Sequence, residues 1–422
     1  MVAPFLPDDQ KIVALRDALP ATGAGIYLDT GSSGPLPTET ARAMAELADW
    51  ELRTGRAHHA YVEEMLVRMA EARAAVAAIL ATSPEAIALT HGTTLGMNEG
   101  AWGLDWRPGD RVVTTSLEHA GGLGPLWALR ERSGVELVIA DVGDGGDDER
   151  TLAALDEAIG APALGSTGRT PLVAVSHVSW TTGAVLAVRR IADLAHARGA
   201  LLLVDGAQSV GAIPVSVEDL AADLYAVAGQ KWLLGPEGTG ALYCSPEVLD
   251  QVRPTFAGWW SLEWLDLATG DGRPWPDARR FESGGVHGPS VVGLARSCSW
   301  LSMYVGLSWI HDRGARLARS AAALLAEVPG VELLTPTASM AGLLTFRITG
   351  WPAPQAAAEL GRRTFAILRT VPSLDALRIS VGFFNTEAEL ARFREGVAEL
   401  AAHTPDTLPP RRELTILGRD DA

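Results

Sequence analysis

Ala200 to Gly240 reads ALLLVDGAQSVGAIPVSVEDLAADLYAVAGQKWLLGPEGTG. Its two apolar runs, ALLLVD and LYAVA, show no alternation of polar and apolar residues. Such runs mark strands buried on both faces, and hence a parallel sheet covered by helices. The first run ends in Asp205, with Gln208 three positions later, and the second leads into Lys231. A carboxylate at the C-terminal end of a buried parallel strand sits where open α/β sheets bind ligands. An isolated Asp there also commonly caps the following turn.

Outward from this stretch, strand-like and helix-like segments alternate. Upstream lie RVVTTS, GPLWALRERSG, VELVIADV, LAALDEAIG, PLVAVSHVS and VRRIADLAHARG, preceded by a helical region over 41–80 and by the strand-to-helix passage IALTHGTTLGMNEGAW. This pattern predicts βαβ units in one large α/β domain. Past Gly285 a long helix-prone stretch, 291–328, leads to the strands VELLTP, AGLLTFRI, FAILRTV and ALRISVG, with helices PQAAAELGRRT and EAELARFREGVAEL. That is the composition of a smaller α+β domain. The expected organisation is an N-terminal segment (1–30) packed on the small domain, a large domain (31–285) and a small C-terminal domain (286–422).

The chain has 422 residues, 47% of them hydrophobic and 20% charged, which suits a soluble globular protein with a large core. A formal net charge of −16 argues against nucleic acid or an anionic membrane as partner. Two cysteines, Cys244 and Cys298, give neither a disulfide framework nor a metal cluster, and no metal is expected. The first residues lack the pattern of a secretory signal, and no apolar run reaches membrane-spanning length, so the expected location is the cytoplasm.

The basic residues are distributed unevenly. Of 35 lysines and arginines, the only lysines are Lys11 and Lys231. A chain that uses arginine wherever a fixed charge suffices places lysine where arginine cannot substitute. Flanked by Trp232, Leu233 and Leu234, the Lys231 amine is expected to be desolvated, which lowers its pKa and frees it to attack a carbonyl. Lys231 is therefore a candidate Schiff-base lysine. Gly92, Thr93 and Thr94 open a helix after a strand, and backbone N–H groups with hydroxyls at a helix N-terminus can bind phosphate. Gly-Thr-Thr is also ordinary N-cap chemistry. Together, a phosphate anchor, a strand-end carboxylate and a lone lysine are what pyridoxal 5'-phosphate (PLP) requires.

With these residues in place, the chain resembles the class V aminotransferase group of fold-type I PLP enzymes, which includes cysteine desulfurases, selenocysteine lyases and isopenicillin N epimerase-like proteins. The likeness extends from YLDTGSSGPLP near residue 27 to RISVGFFNTEAELARF near 379. It implies that Lys231 carries PLP and moves the Cα proton of the substrate, that Asp205 keeps the pyridinium nitrogen protonated, and that Gln208 bonds the phenolic oxygen. It further implies that His119 stacks on the ring face, that Gly92, Thr93 and Thr94 hold the phosphate, and that Arg378 grips the substrate carboxylate. His177 and Gln230 join as cofactor contacts. A homodimer with shared active sites is implied too, with His58, His59, Ser283, Gly285 and His287 in regions that meet a partner.

The chain also departs from that family. The interval where desulfurases place a nucleophilic cysteine reads FAILRTVPSLDALRIS, Phe365 to Ser380, and contains none. Both cysteines are read as buried packing residues. Gln230 replaces a histidine before the lysine, and Gly285 replaces a threonine. The aromatic stretch GWWSLEW, Gly258 to Trp264, is a pocket wall, a dimer contact or core. The expected function is a PLP-dependent enzyme that removes the Cα proton of an amino acid, as an aminotransferase or a β-eliminating lyase without a catalytic cysteine. An epimerase is the alternative, and a non-catalytic protein on the same fold the reading from another class. Gly235, Gly238 and Gly240 do not form a dinucleotide fingerprint, and neither lysine follows a glycine, so no P-loop is present.

Overall fold

The computed structural model describes residues 7–160 and 168–410. Its centre is a seven-stranded sheet: β1 (Ile87–Thr90), β2 (Arg111–Thr115), β3 (Glu136–Ala140), β4 (Leu172–Ser176), β5 (Leu201–Asp205), β6 (Leu224–Ala228) and β7 (Gly240–Cys244). The strand order is β1-β7-β6-β5-β4-β2-β3, and all pairings are parallel except those of β7. Ser176 pairs with Asp205, and Asp205 with Ala226, so the C-terminal ends of β4, β5 and β6 share one edge.

Both faces of the sheet are covered, as the unbroken apolar runs require. Along β5, Leu202 and Val204 join the core on one face while Leu203 joins the core on the other. The helix Thr93–Trp102 lies close on the second face. A Cβ at Gly96 would come 2.9 Å from Ala226 Cβ, and one at Gly100 would come 2.8 Å from Leu203. These two glycines, one turn apart, let the helix sink onto the sheet and bring its N-terminus to the edge where β5 and β6 end.

A second sheet combines β8 (Val331–Leu333), β9 (Leu343–Ile348), β10 (Arg369–Val371) and β11 (Ala376–Ser380) in the antiparallel order β8-β9-β11-β10. The helices Ala353–Thr364 and Glu387–Ala401 cover it. Ile26 and Leu28 lie in the core of this small sheet, whereas Leu15 and Leu19 lie in the core of the large one. The expected long helix over 291–328 is interrupted. Gly288–Ser299 is followed by a wide turn, Trp300–Val305, and by Gly306 at φ +93°, before Leu307–Ala326 resumes. Positive φ favours glycine, so the bend is written at Gly306. Lys11 fixes it from outside: its ammonium donates to the Val305 carbonyl at 2.8 Å and lies 4.0 Å over the Trp309 ring. The two cores divide within Leu307–Ala326, with Ile310 in one and Leu317 in the other, later in the chain than the expected boundary at 285/286.

Among the described residues no helix is long and apolar enough to cross a membrane, and no cluster of His, Cys, Asp or Glu is placed to hold a metal.

Glu282, within FESGG, is buried against β1. It accepts from Leu89 N–H at 2.8 Å and from Arg73 at 3.0 Å. Burial holds its carboxyl above the usual carboxylate range, with Arg73 opposing. Arg73→Ala is therefore expected to cost about 3 kcal/mol near neutral pH, by stranding a buried charge. Because the folded-state pKa is already raised, lowering the pH neutralises Glu282 and shrinks the deficit, and Glu282→Gln added to Arg73→Ala recovers part of it. Chemical denaturation of the variants at neutral and mildly acidic pH checks both expectations.

Candidate active site

The turns that follow β5 and β6 carry the central residues. Asp205 is buried, and its Oδ1 accepts from the Ala207 N–H at 2.9 Å. The other oxygen, Oδ2, faces Gly122, where a Cβ would stand 3.4 Å away. Gln208 is held on two sides: its Nε2 donates to Gly31 O at 2.8 Å, and its Oε1 accepts from the Trp232 indole at 2.9 Å. That leaves one amide hydrogen of Gln208 unassigned. Lys231 follows β6 in a tight turn closed by Gly235 N–H donating to Gly229 O at 2.8 Å. Its ammonium meets no hydrogen-bond or ion-pair partner among the described residues. Burial pushes its pKa down, Asp205 and Asp29 oppose that, and Arg378 and Arg369 add to it. The amine is thus predisposed to lose its proton and lies within electrostatic reach of all four groups.

Gly92 caps the helix Thr93–Trp102 at φ +147°, with Thr93 and Thr94 in its first turn. The hydroxyl of Thr93 is buried without a partner, as is the side-chain oxygen of Gln230. Thr94 Oγ1 lies against the next helix, 2.6 Å from where a Cβ of Gly121 would stand. Unpaired donors and amides at a helix N-terminus make an anion-binding surface.

His119 caps the helix Ala120–Ser133: its Nδ1 accepts from Gly121 N–H at 3.0 Å. The neutral ring therefore carries its proton on Nε2. Burial, with Lys231 next, holds its pKa below the ordinary value. Its ring meets Trp180 edge-on, with centroids 5.1 Å apart. The neighbour before it, Glu118, had no place in the sequence reading. Its carboxylate accepts from Thr115 Oγ1 at 2.6 Å, Ser176 Oγ at 2.7 Å and Ser176 N–H at 3.1 Å. Burial raises its pKa to about 7.

His177 turns away from this group. It is buried, and its Nδ1 is 2.7 Å from the Tyr225 hydroxyl, which is 2.5 Å from Ser209 Oγ. Ser209 donates to Gly206 O, so Tyr225 donates to Ser209 and His177 Nδ1–H donates to Tyr225. Burial takes the histidine down to about 4, and it is neutral at physiological pH. The residue from this loop that contacts the other site groups is Trp180.

Arg378 is buried on β11, opposite Arg369 on β10. It donates to Trp180 O at 3.1 Å and reaches Ser32 Oγ at 3.4 Å and Asp29 at 3.5 Å, while its Nε has no partner. Arg369 donates to Ser32 Oγ at 2.7 Å. Like charges directly opposite on a sheet repel, so this pair, offset by one Asp29 carboxylate, is a ready anion site. Arg369 was missed in the sequence because nothing there reveals the register that pairs it with Arg378. The partner-region candidates lie elsewhere: His58 caps the helix His59–Leu80, His59 pairs with Glu63 at 3.4 Å, and His287 is hydrogen-bonded to Ser290 at 2.8 Å.

The family model described as aminotransferase class-V matches residues 26–393. The chain belongs to the class-V aminotransferase family. It is 31% identical over 405 residues to a probable cysteine desulfurase of Methanothermobacter thermautotrophicus, covering 92% of this chain and 97% of that one. It is 29% identical to the isopenicillin N epimerase of Streptomyces clavuligerus, over 89% and 94% of the two chains. Among solved structures, the cystine C–S lyase C-DES in complex with its product cysteine persulfide superposes with a TM-score of 0.84 at 26% identity, covering 90% of this chain and 99% of that one. An alanine variant of C-DES with glycine covalently linked to its PLP cofactor matches equally, at TM-score 0.84 and 26% identity over 91% and 99% of the chains. The architecture is thus the expected fold-type I arrangement, with a mainly parallel large sheet.

In this class-V chain the two thiols are far from reactive. Cys244 ends β7, whose partner there is Leu224 at the start of β6, so it lies at the edge opposite Asp205 and Ala228. Cys298 is fully buried in the helix Gly288–Ser299. Burial pushes both thiols up to about 12. The cysteine-free interval forms a tight hairpin, β10 to β11, turned by Pro372–Leu374 and by Asp375 at φ +42°. A thiol-reactive chromophore at pH 8 is expected to find no fast-reacting cysteine in the native protein and two after denaturation; a rapid native reaction would contradict the burial.

Proposed function

We propose that this class-V enzyme binds PLP at Lys231 and acts on an amino acid as a β-eliminating C–S lyase, without a protein thiol. The observation that carries the reading is that Lys231 and Asp205, at the end of the large sheet, lie within electrostatic reach of Arg378 on the small one, with both cysteines buried elsewhere. The fit to the cofactor rests on the Thr93 hydroxyl, buried without a partner at the helix N-terminus, and on the Lys231 amine, whose proton burial disfavours. PLP supplies an aldehyde for the amines and an electron sink for the pair left at Cα when its proton departs.

The roles of this chain's residues follow. Lys231, disposed toward the neutral amine, holds the cofactor and takes the proton from Cα. Asp205, oriented by the Ala207 N–H, keeps the ring nitrogen protonated. Gln208 directs its spare amide hydrogen at the phenolic oxygen, and His119 covers the ring face. Gly92, Thr93 and Thr94 hold the phosphate, and Gln230 lies next to Lys231 with its side-chain oxygen unpaired. Arg378 grips the substrate carboxylate by a planar fork that lysine lacks, and Arg369 adds charge beside it. His177 acts indirectly, its backbone N–H donating to the backbone carbonyl of Asp205 at 3.0 Å while its ring stays on Tyr225. Elimination then needs only a sulfur leaving group at Cβ, so the sulfur departs with the product rather than on the protein. The likeness to the C–S lyase C-DES supports this choice.

The homodimer belongs to the same reading. Phe256, Trp259, Trp264 and Leu267 are exposed, Trp259 by 75% and Leu267 by 83%. A second subunit covers them, and the pair works in the cytoplasm.

The PLP-loaded protein is expected to show an absorbance band at the border of the visible and ultraviolet, removed by borohydride and missing from Lys231→Ala. Given cystine, it should release pyruvate, ammonia and a sulfur product. A keto acid that retains its sulfur, or an inverted enantiomer, would replace elimination with transamination or epimerisation. Arg378→Lys should weaken substrate capture by tenfold or more, the loss of one charge-assisted bond of about 1.5–3 kcal/mol. Cys244→Ala with Cys298→Ala should leave turnover in place.

A further inference from the structure

Glu118 stands between two groups of the site that do not touch each other. Its carboxylate ties the end of β2, at Thr115, to the end of β4, at Ser176, through three accepted hydrogen bonds. Its own carbonyl accepts from the Trp180 indole N–H at 3.1 Å. Trp180 in turn meets the His119 ring in a T-shaped contact and presents its carbonyl to Arg378. The path from ring-covering histidine to carboxylate-gripping arginine therefore runs through Trp180, whose indole is held by the backbone carbonyl of Glu118. Ser176, which Glu118 holds by both backbone and side chain, is also the cross-strand neighbour of Asp205.

We propose that Glu118 is a positioning residue which, through Trp180, sets His119 over the cofactor ring and Arg378 over the substrate carboxylate as a single unit. The inference rests on the PLP reading above. Its geometry is unusual for a structural carboxylate. No arginine or lysine pairs with it; its donors are two hydroxyls and one amide, and its charged neighbour is Asp205, which raises its pKa further. Two hydroxyl partners can reverse their protons, so the same cage accepts both the acid and the carboxylate. Asp205 and His119 are the other titratable groups beside it; burial holds the His119 ring below its ordinary value and raises the Glu118 carboxyl to about 7. Above that pH the carboxylate accepts all three bonds and the clamp is tight; below it, one oxygen must donate and the clamp loosens.

The test uses the PLP-loaded enzyme and glycine as probe, which has an α-carboxylate and amine but no leaving group. Binding is read from the change in the cofactor's absorbance. Glu118→Gln is expected to keep the cofactor band, weaken glycine about tenfold, and abolish an inflection near pH 7 in the wild-type glycine affinity. Trp180→Phe, which keeps an aromatic ring and removes the indole donor, should weaken glycine similarly. The two changes together should cost little more than either alone, since they break one path. Unchanged glycine affinity in Glu118→Gln, a retained inflection, or fully additive losses would overturn the proposal. Absence of a cofactor band in the wild-type protein would instead remove the PLP reading. If Glu118→Gln fails to fold, Trp180→Phe with the pH profile decides alone: affinity equal to the wild type overturns the proposal.

Discussion

A half-buried amine without a hydrogen-bonding partner among the described residues governs this structure. Lys231 leaves the sheet between Asp205, which favours its charge, and Arg369 and Arg378, which oppose it. Holding those groups together requires strands from two sheets. Asp205 and Lys231 come from the ends of β5 and β6, whereas the arginines come from β10 and β11. The seam between the sheets is closed by the segment that carries Asp29 and Ser32, since Asp29 bridges to Ser380 and Ser32 meets both arginines. The fold can be read as what is needed to keep one cationic pair and one carboxylate near one amine.

Much of this was legible in the amino-acid order, because strand ends in a parallel sheet are set by local pattern. The apolar run before Asp205 fixes its edge, and Gly92-Thr93-Thr94 marks a helix start without any tertiary information. What was illegible depends on register and on side-chain direction. Arg369 joins the site only because it faces Arg378 across two antiparallel strands. Glu118 looks in the sequence like any residue beside a turn, and its cage is built from residues on two other strand ends. His177, placed at a strand end like Asp205, was expected to reach the cofactor, yet its ring bonds Tyr225 inside the protein. Three residues later the chain has turned, and Trp180 meets His119 and Arg378.

The break at Gly306 shows the same division. Helical periodicity runs through 291–328, and only a backbone carbonyl captured by Lys11 and a positive φ interrupt it. The helix that contains Lys11 lies some three hundred residues away in sequence, a distance no local pattern spans.

The scarcity of lysine has a chemical consequence for the molecule as a whole. Of its two side-chain amines, Lys11 is 4% exposed and engaged with a carbonyl and an indole. The arginines that cover the surface do not condense with aldehydes at neutral pH, being permanently protonated. An aldehyde meeting this protein therefore finds no competing side-chain amine on the way to Lys231. Scarcity of lysine thus narrows the side chains open to such a condensation to one, and composition contributes to selectivity as much as the pocket does.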